Sequence, residues 1–269
     1  MFNNMTPVVK QLLIINVLVF ILSQVLPQNY ETLSLFYFES EKFRFWQPFT
    51  HMFMHAKMPN LMHILFNMFA LVSFGSALEH FWGRKKFLFF YIACGLGAAL
   101  VQTGMNYYEI HKLLNQFSDL NINPVDLHKM LNTDMIDGDV YSSRKLFENA
   151  NSLIEKYNFN TESFSYLFKA AIETQSTCVG ASGAIYGLLV AFAFMFPNAE
   201  LMMMFIPVPI KAKYFVPVIV LLDLFSGVTG FGLFGGNIAH FAHVGGALIG
   251  FVMMWYWKKN QFNQNRWDR

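Results

Sequence analysis

The sequence predicts an all-α integral membrane protein with six membrane-spanning helices and a helical insertion outside the bilayer between the third and fourth. Three observations support this fold class. Only 13% of the 269 residues are charged and 55% are hydrophobic, whereas soluble domains carry roughly 25% charged residues. The apolar residues fall into six long runs. Of the 19 basic and 17 acidic residues, six and ten lie within residues 107–173 alone.

Composition also excludes several other classes. A net charge of +2, with no basic cluster interleaved with aromatic residues, gives no nucleic-acid signature. The two cysteines, Cys94 and Cys178, lie in apolar runs and cannot make a disulfide framework. The high hydrophobicity excludes disorder, collagen and coiled coil.

A spanning helix needs about 20 residues, and each apolar run is close to that length. The fifth is the weakest, because it is short and contains Pro217, Asp223 and Gly227. The first is longer than the apolar region of a typical signal peptide and no small-residue cleavage site follows it, so we expect a retained helix. The predicted spans are residues 8–26, 61–82, 87–105, 178–196, 214–230 and 238–257.

The insertion divides the predicted bundle into two halves. Residues 1–106 form the first half and include an aromatic-rich loop at 27–60, and residues 174–269 form the second. Residues 107–173 form the polar, acidic insertion. Turn residues such as Pro124 punctuate it, and its apolar residues recur every three or four positions, as in a helix, at Leu146, Leu153, Ile154 and Tyr157.

Basic residues near the ends of the spans predict the orientation. With six spans they fall on one side, which places both termini in the cytoplasm and the insertion outside. We therefore expect a multi-pass protein of the cell membrane, inner or plasma. The basic residues are Lys10, Arg84, Lys85, Lys86, Lys211, Lys213, Lys258, Lys259, Arg266 and Arg269.

Polar side chains inside the spans are costly and therefore point to function. The spans contain eight of interest: His63, Asn67, Glu79, Ser182, Tyr186, Asp223, His240 and His243. Most have an ordinary structural interpretation when taken singly. Glu79, near the cytoplasmic end of its span, is interpreted as a structural hydrogen-bond partner. The sequence leaves the roles of Asp223 and His240 open.

Small residues surround two of these side chains. Ser182 stands in the run Gly-Ala-Ser-Gly that begins at Gly180, and Gly183 and Gly187 form a small-xxx-small pair. In the sixth span, Gly246 and Gly250 form a GxxxG pair one turn after His243. Such pairs allow helices to approach closely. Taken alone, each motif indicates helix packing only.

The predicted topology joins the motifs. Positions i and i+4 share a helix face, so His63 and Asn67 project side by side. Spans two, four and six all enter from the outer side, which places His63, Asn67, Ser182 and His243 at a similar depth in the outer leaflet. A serine, a histidine that serves as its base and two further hydrogen-bond donors describe an acyl-transfer site.

Taken together, these motifs resemble those of the rhomboid family of intramembrane serine proteases. The matching pieces cover about 200 residues in the family's order, so the fold class becomes a six-transmembrane-helix rhomboid-like bundle. They are Trp46-Gln47-Pro48-Phe49-Thr50 with His55, His63-x-x-x-Asn67, Phe74 to Glu79 with Trp82-Gly83, Gly180-Ala181-Ser182-Gly183 with Tyr186, and Ala242-His243-x-x-Gly246-x-x-x-Gly250.

The resemblance implies a serine endopeptidase that cleaves single-span membrane proteins near the outer surface of the bilayer. It implies a dyad of Ser182 as nucleophile and His243 as general base, with no carboxylate, no metal and no cofactor. Tyr186 would pack on the catalytic imidazole, and the oxyanion would be met by the Ser182 N–H, His63 and Asn67. Span five would act as a lateral gate. The supporting residues are Gly180, Gly183 and Gly246.

The sequence departs from the family pattern at two places. The insertion is longer than the corresponding connection in compact six-helix members, and we expect it to affect regulation or substrate choice by covering the mouth of the site. The spacing from His55 to His63 is also longer. No catalytic role is therefore assigned to His55.

Two alternatives remain open from the sequence: a zinc metalloprotease and a protein that is not an enzyme. His51 with His55, and His240 with His243, have spacings that suit zinc, although the H-E-x-x-H motif of metalloproteases is absent. Intramembrane histidine and carboxylate side chains also suit a transporter or a catalytically silent rhomboid-like binding protein. The oligomeric state and the identity of the substrate are not predicted.

Overall fold

The computed structural model of the chain describes residues 5–26, 28–138, 140–203, 206–231 and 239–260. The α-helices within these residues are, in chain order, α1 (Pro7–Val25), α2 (Gln28–Leu33), α3 (Gln47–Thr50), α4 (Leu61–Ala70), α5 (Ser76–Trp82), α6 (Arg84–Leu114), α7 (Pro124–Asn132), α8 (Ser143–Lys156), α9 (Thr161–Gln175), α10 (Ser182–Met195), α11 (Ala212–Thr229) and α12 (His240–Asn260).

The predicted fold class, a helical membrane bundle, is confirmed. Helices α4 and α5 form one continuous rod through a π-helical turn at Leu71–Gly75. Among the described residues, four helical segments are long and apolar enough to cross a membrane: Pro7–Val25, Leu61–Trp82, Arg84–Leu120 and Ala212–Thr229. Each of the other two predicted spans also contains a helix, α10 or α12.

Two boundaries differ from the prediction by four residues or more. Helix α10 begins at Ser182 rather than at residue 178, because the φ angle of +133° at Gly180 is incompatible with a helix. Helix α6 continues to Leu114, past the predicted end at 105, since its polar last turns still form helical hydrogen bonds. The start predicted for the last span, at 238, lies outside the described residues.

Within the described ranges, two short antiparallel hairpins accompany the helices. The all-α prediction did not include them. Strands β1 (Ile136–Asp137) and β2 (Val140–Tyr141) pair inside the insertion. Strands β3 (Glu200–Met203) and β4 (Ile206–Lys211) pair between α10 and α11, with Glu200 opposite Lys211. Strands β1 and β2 have two residues each, too few to show alternation in the sequence.

The described residues divide into two structural units. The first comprises those of 1–34, 48–102 and 179–269, and the second comprises those of 35–47 and 103–178. The apolar core of the first unit includes Val9, Leu71, Phe87, Phe90 and Leu188, all fully buried.

Helix α1 is fixed in the first unit by a buried carboxylate. Glu79 of α5 accepts hydrogen bonds from the backbone N–H groups of Val8 (3.0 Å) and Val9 (2.9 Å), and also from the Thr6 hydroxyl. The first N–H groups of a helix have no partner within the helix, and its N-terminus favours negative charge. Glu79 is therefore a structural cap for α1.

Helices α10 and α12 pack in backbone contact through their glycines. A Cβ atom added to Gly246 would overlap the carbonyl group of Gly183, and one added to Gly250 would lie 2.8 Å from Cα of Gly187. No side chain larger than hydrogen fits at either position. The two small-residue pairs seen in the sequence thus pack against each other.

The second unit has a hydrophobic core of its own. It contains α7, α8 and α9, and its fully buried side chains include Met130, Leu146, Leu167 and Ala170. Local caps start the helices: Asn123 caps α7, Ser142 caps α8, and Asn160 caps α9 in a capping box with Ser163. Residues 35–47, which lie in the predicted aromatic-rich loop, are part of this unit.

An exposed cluster links two helices of the second unit. Asp126 of α7 accepts hydrogen bonds from Lys156 Nζ and from the Tyr157 hydroxyl, both at 2.7 Å. The hydrogen bond from Lys156 is the main reason that the pKa of Asp126 lies below its usual value. The carboxylate therefore stays ionised at neutral pH.

We expect Gly246→Ala to destabilise the first unit. The added methyl group meets backbone atoms of α10, which have no rotamer to change, so the helices must separate. Overpacking of this kind costs about 1–3 kcal/mol. The thermal unfolding midpoint of the purified protein in detergent measures the effect.

Gly104→Ala in α6 is the matched control, since nothing lies within 4 Å of a Cβ atom there. Alanine is the better helix former, so this variant should melt at or above the wild-type temperature. Equal melting temperatures for both variants would show that the contact between α10 and α12 is not tight.

Candidate active site

Ser182 lies in the first turn of α10, where the backbone changes from extended to helical. Gly180 takes a φ angle of +133°, which an L side chain rarely adopts, and its N–H donates a hydrogen bond of 3.0 Å to the carbonyl oxygen of His51. The N–H groups of a first turn have no acceptor within the helix. The N–H of Ser182 is therefore available to an acceptor outside α10.

His243 of α12 is hydrogen-bonded to Ser182. Its Nε2 atom lies 2.8 Å from Ser182 Oγ. The ring of Tyr186, one turn after Ser182, stacks on the imidazole with ring centroids 4.3 Å apart and an interplanar angle of 11°. The side chain of His243 is 13% exposed, so the pair is shielded but not sealed from solvent.

Asp223 of α11 belongs to a polar cluster that was not predicted from the sequence. Its Oδ1 atom lies 2.6 Å from Nδ1 of His240 and 3.2 Å from Nδ1 of His243, and its Oδ2 atom accepts a hydrogen bond from the Tyr186 hydroxyl. The sequence indicated Asp223 and His240 only as costly polar residues. The pairing of α11 with α12, which no local pattern records, brings them together.

His63 of α4 lies near Ser182, and its hydrogen bonding defines which ring nitrogen carries the proton. Its Nδ1 atom accepts a hydrogen bond of 3.0 Å from the Ala56 N–H. In a neutral imidazole the proton must then reside on Nε2. The Cβ position of Gly180, which glycine leaves empty, lies 3.1 Å from His63 Nε2 and 3.2 Å from Ser182 Oγ. One point is thus within reach of both the serine oxygen and a donor.

Asn67 is buried on the same helix, but its amide group bonds to its own backbone. Nδ2 donates a hydrogen bond of 2.7 Å to the carbonyl oxygen of His63, one turn earlier. An amide nitrogen carries two hydrogens, so one remains for another acceptor. Of the predicted site residues, Ser182, His243, Tyr186 and His63 converge directly.

The loop before α4 adds a second buried histidine. The ring of His55 is fully buried and its centroid lies 5.4 Å from that of His63. Burial is the main cause that lowers the pKa of His55, and the neighbouring His63 acts in the same direction. His55 is therefore neutral at physiological pH.

The zinc interpretation receives no support from the described part of the chain. Among those residues, no three histidine, cysteine, aspartate or glutamate side chains are arranged to hold a metal ion. The four histidines of that alternative, His51, His55, His240 and His243, are all described.

The fold and the site define a class: a multi-pass helical membrane protein with a hydrogen-bonded serine and histidine inside an apolar bundle. The chain belongs to the rhomboid family, since the model of the Rhomboid domain matches residues 42–111 and 159–260. The unmatched stretch between them lies within the predicted insertion. Members of this family act on transmembrane substrates within the lipid bilayer, and membership suggests a serine protease without by itself showing catalytic activity.

A curated relative agrees with this assignment. The chain is 35% identical over 81 residues to the mitochondrial Rhomboid protein 1 of Saccharomyces cerevisiae. The aligned stretch covers 30% of this chain and 22% of the yeast protein. The similarity therefore concerns a minor part of each protein.

We expect Gly180→Ala to lower activity without unfolding the protein. A methyl group at this position would fill the point that lies between His63 Nε2 and Ser182 Oγ, and the φ angle of Gly180 would be strained. Loss of one oxyanion contact typically costs about 10²–10³ in kcat. Cleavage of a single-span model substrate by the purified variant measures it.

Gly138→Ala is a control at a positive-φ glycine outside the site. Gly138 also has a positive φ angle, +62°, but nothing lies within 4 Å of a Cβ atom there. It should keep wild-type activity. If Gly180→Ala cleaves as fast as Gly138→Ala, the space beside Gly180 plays no part in the reaction.

Proposed function

We propose that this protein is an intramembrane serine endopeptidase in which Ser182 and His243 form the catalytic pair. The observation that carries the proposal is the hydrogen bond of 2.8 Å between His243 Nε2 and Ser182 Oγ. Within a helical bundle of the rhomboid family, this distance suits proton transfer from the hydroxyl to the imidazole. A catalytically silent protein has no need for this alignment.

Acylation begins when Ser182 Oγ attacks the carbonyl carbon of the scissile peptide bond. His243 Nε2 takes the hydroxyl proton as the C–O bond forms. The tetrahedral intermediate collapses, the C–N bond breaks, and the imidazolium gives the same proton to the leaving amine. The N-terminal part of the substrate then remains as an ester on Ser182.

The oxyanion of the intermediate is met by three donors. The Ser182 N–H stands at the N-terminus of α10, where the helix dipole favours negative charge. The second donor is the Nε2–H of His63, whose tautomer is set by the Ala56 N–H. The third is the remaining N–H of Asn67.

Deacylation requires water. A water molecule gives a proton to His243 as its oxygen attacks the ester carbonyl. The second tetrahedral intermediate then collapses, the ester C–O bond breaks, the imidazolium returns the proton to Ser182 Oγ, and the N-terminal fragment leaves with a new carboxyl group. The partial exposure of His243, at 13%, supports access of water to the pair. No metal or cofactor takes part in any of these steps.

The substrate is the spanning helix of another membrane protein, most readily a single-span protein. A helix shields its carbonyl groups by hydrogen bonds, so helix-breaking residues near the cleaved bond should help. We place the site toward the outer surface, with both termini in the cytoplasm. Helix α11 serves as the lateral gate, because Pro217 interrupts its hydrogen bonds.

We expect Ser182→Ala to abolish both proteolysis and labelling by a fluorophosphonate probe. In soluble serine proteases, loss of the nucleophile costs about 10⁶-fold in kcat. A panel of single-span proteins, reconstituted with the enzyme in liposomes, reports the cleavage.

Ser23→Ala is a matched control, since Ser23 is a buried serine on α1 that bonds to the carbonyl oxygen of Phe20. It should retain labelling and cleavage. Wild-type cleavage by Ser182→Ala would overturn the proposed function, and so would an unlabelled, inactive wild-type enzyme across the whole panel.

His63→Ala tests the oxyanion site independently of the nucleophile. Because a donor that acts only in the transition state is lost, kcat should fall by about 10²–10³ while KM changes little. His80→Ala, an exposed histidine at the far end of the same helical rod, should behave like the wild type. Equal kcat values for the two variants would remove His63 from the oxyanion site.

A further inference from the structure

A carboxylate inside a membrane-spanning helix is costly unless hydrogen-bond donors surround it. Asp223 lies in the middle of α11, and its side chain is only 11% exposed. Neither the Ser–His dyad nor the oxyanion site uses this residue. The dyad and the oxyanion site therefore do not explain why a carboxylate is buried at this position.

The donors around Asp223 define the protonation of His243. An ionised carboxylate only accepts hydrogen bonds, so each imidazole that bonds to it must present an N–H. The contact of 3.2 Å between Asp223 Oδ1 and His243 Nδ1 thus places the proton of His243 on Nδ1. The Nε2 atom is then a free acceptor, and it faces Ser182 Oγ at 2.8 Å.

We propose that Asp223 is a positioning residue that turns the catalytic pair into a Ser182–His243–Asp223 relay. This inference rests on the proposed function. The carboxylate holds His243 in the tautomer that accepts the Ser182 proton, and it stabilises the imidazolium that results. Asp223 keeps its own charge throughout, and no proton moves to it.

Two further groups hold the carboxylate in place. Nδ1 of His240, one turn before His243 in α12, donates to Oδ1 at 2.6 Å. The Tyr186 hydroxyl donates to Oδ2 while its ring stacks on His243. Tyr186 therefore orients both the carboxylate and the imidazole, and Asp223 has three donors within the described bundle.

The three members of the relay come from three helices. Ser182 lies on α10, His243 on α12 and Asp223 on α11. Displacement of α11, the motion proposed for substrate entry, would draw Asp223 away from His243. The relay is then complete only when α11 packs against α12, so closure of the gate and activation of His243 are one event.

The experiment compares Asp223→Ala, Asp223→Asn and Asp223→Glu with the wild type in liposomes, with rates expressed per folded molecule. The alanine and asparagine variants should lower kcat by about 10² or more, with little change in KM, since orienting carboxylates of soluble triads contribute up to about 10⁴. The glutamate variant should recover part of the loss. Ser226→Ala, a buried serine one turn away on α11, should cleave at nearly the wild-type rate.

The pH dependence of kcat/KM separates positioning from a merely structural role. Among the described residues, the titratable groups that face His243 are Asp223, His240, Tyr186 and His63. Without the negative charge of Asp223 the imidazolium is easier to deprotonate, so the acid limb should move to lower pH. Repeating the profile in a His240→Asn background assigns the limb to His243. A purely structural defect lowers the rate and leaves the limb in place.

The possible failures are distinguishable. If Ser182→Ala is inactive while Asp223→Ala and Asp223→Asn keep the wild-type kcat and acid limb, the relay is wrong and the protease proposal stands. A rate loss with an unmoved limb and no recovery in Asp223→Glu likewise overturns positioning. Cleavage by Ser182→Ala would instead remove the proposed function itself.

Discussion

The contact between α10 and α12 is the interaction on which the site depends. In lipid there is no hydrophobic drive to bring two apolar helices together, so close packing of small residues must supply the association. Gly183 and Gly187 meet Gly246 and Gly250 with room for hydrogen alone. Ser182 directly precedes the first of these glycines, and His243 lies one turn before Gly246. The glycine contact therefore sets the distance between the serine and the histidine.

Two carboxylates in the same bundle show how the surroundings of a buried charge decide its use. Glu79 is met by backbone N–H groups of α1 and the Thr6 hydroxyl, which cannot release a proton at ordinary pH. It can only hold a helix end. Asp223 is met by two imidazoles and a phenol, and one of these imidazoles also contacts a serine hydroxyl. A charge next to groups that titrate can affect their chemistry, so the same residue class serves two purposes.

The fold was predictable because long apolar runs indicate membrane-spanning helices. Candidate site residues could be selected because polar side chains are rare within such runs. The sequence indicated Ser182, His243 and His63 as candidates in this way. The start of α10 was not predicted correctly, because residues 178–181 are apolar or small and hydropathy carries no information about the φ angle of Gly180. The assignment of residues 35–47 to the second unit depends on contacts distant in sequence.

The Asp223 cluster escaped prediction for a related reason. Each of its residues is visible in the sequence, but nothing local states which helix faces which. The family resemblance also implied a serine–histidine dyad, which has no third member. Only the packing of α11 on α12 reveals that the carboxylate and the two histidines share a set of hydrogen bonds.

The distribution of packing among the helices has a consequence for the reaction. Helices α10 and α12 are locked by glycine contacts, whereas α11 has the smallest buried share of the four long apolar segments, 22% against 28–44% for the others. Segments with few buried contacts move at the lowest cost in free energy. We therefore expect Ser182 and His243 to stay together, whereas Asp223 lies on the segment with the smallest buried share of the four. Under the proposed function, the nucleophile and the base would stay aligned, and the carboxylate of Asp223 would support His243 only while α11 packs against α12.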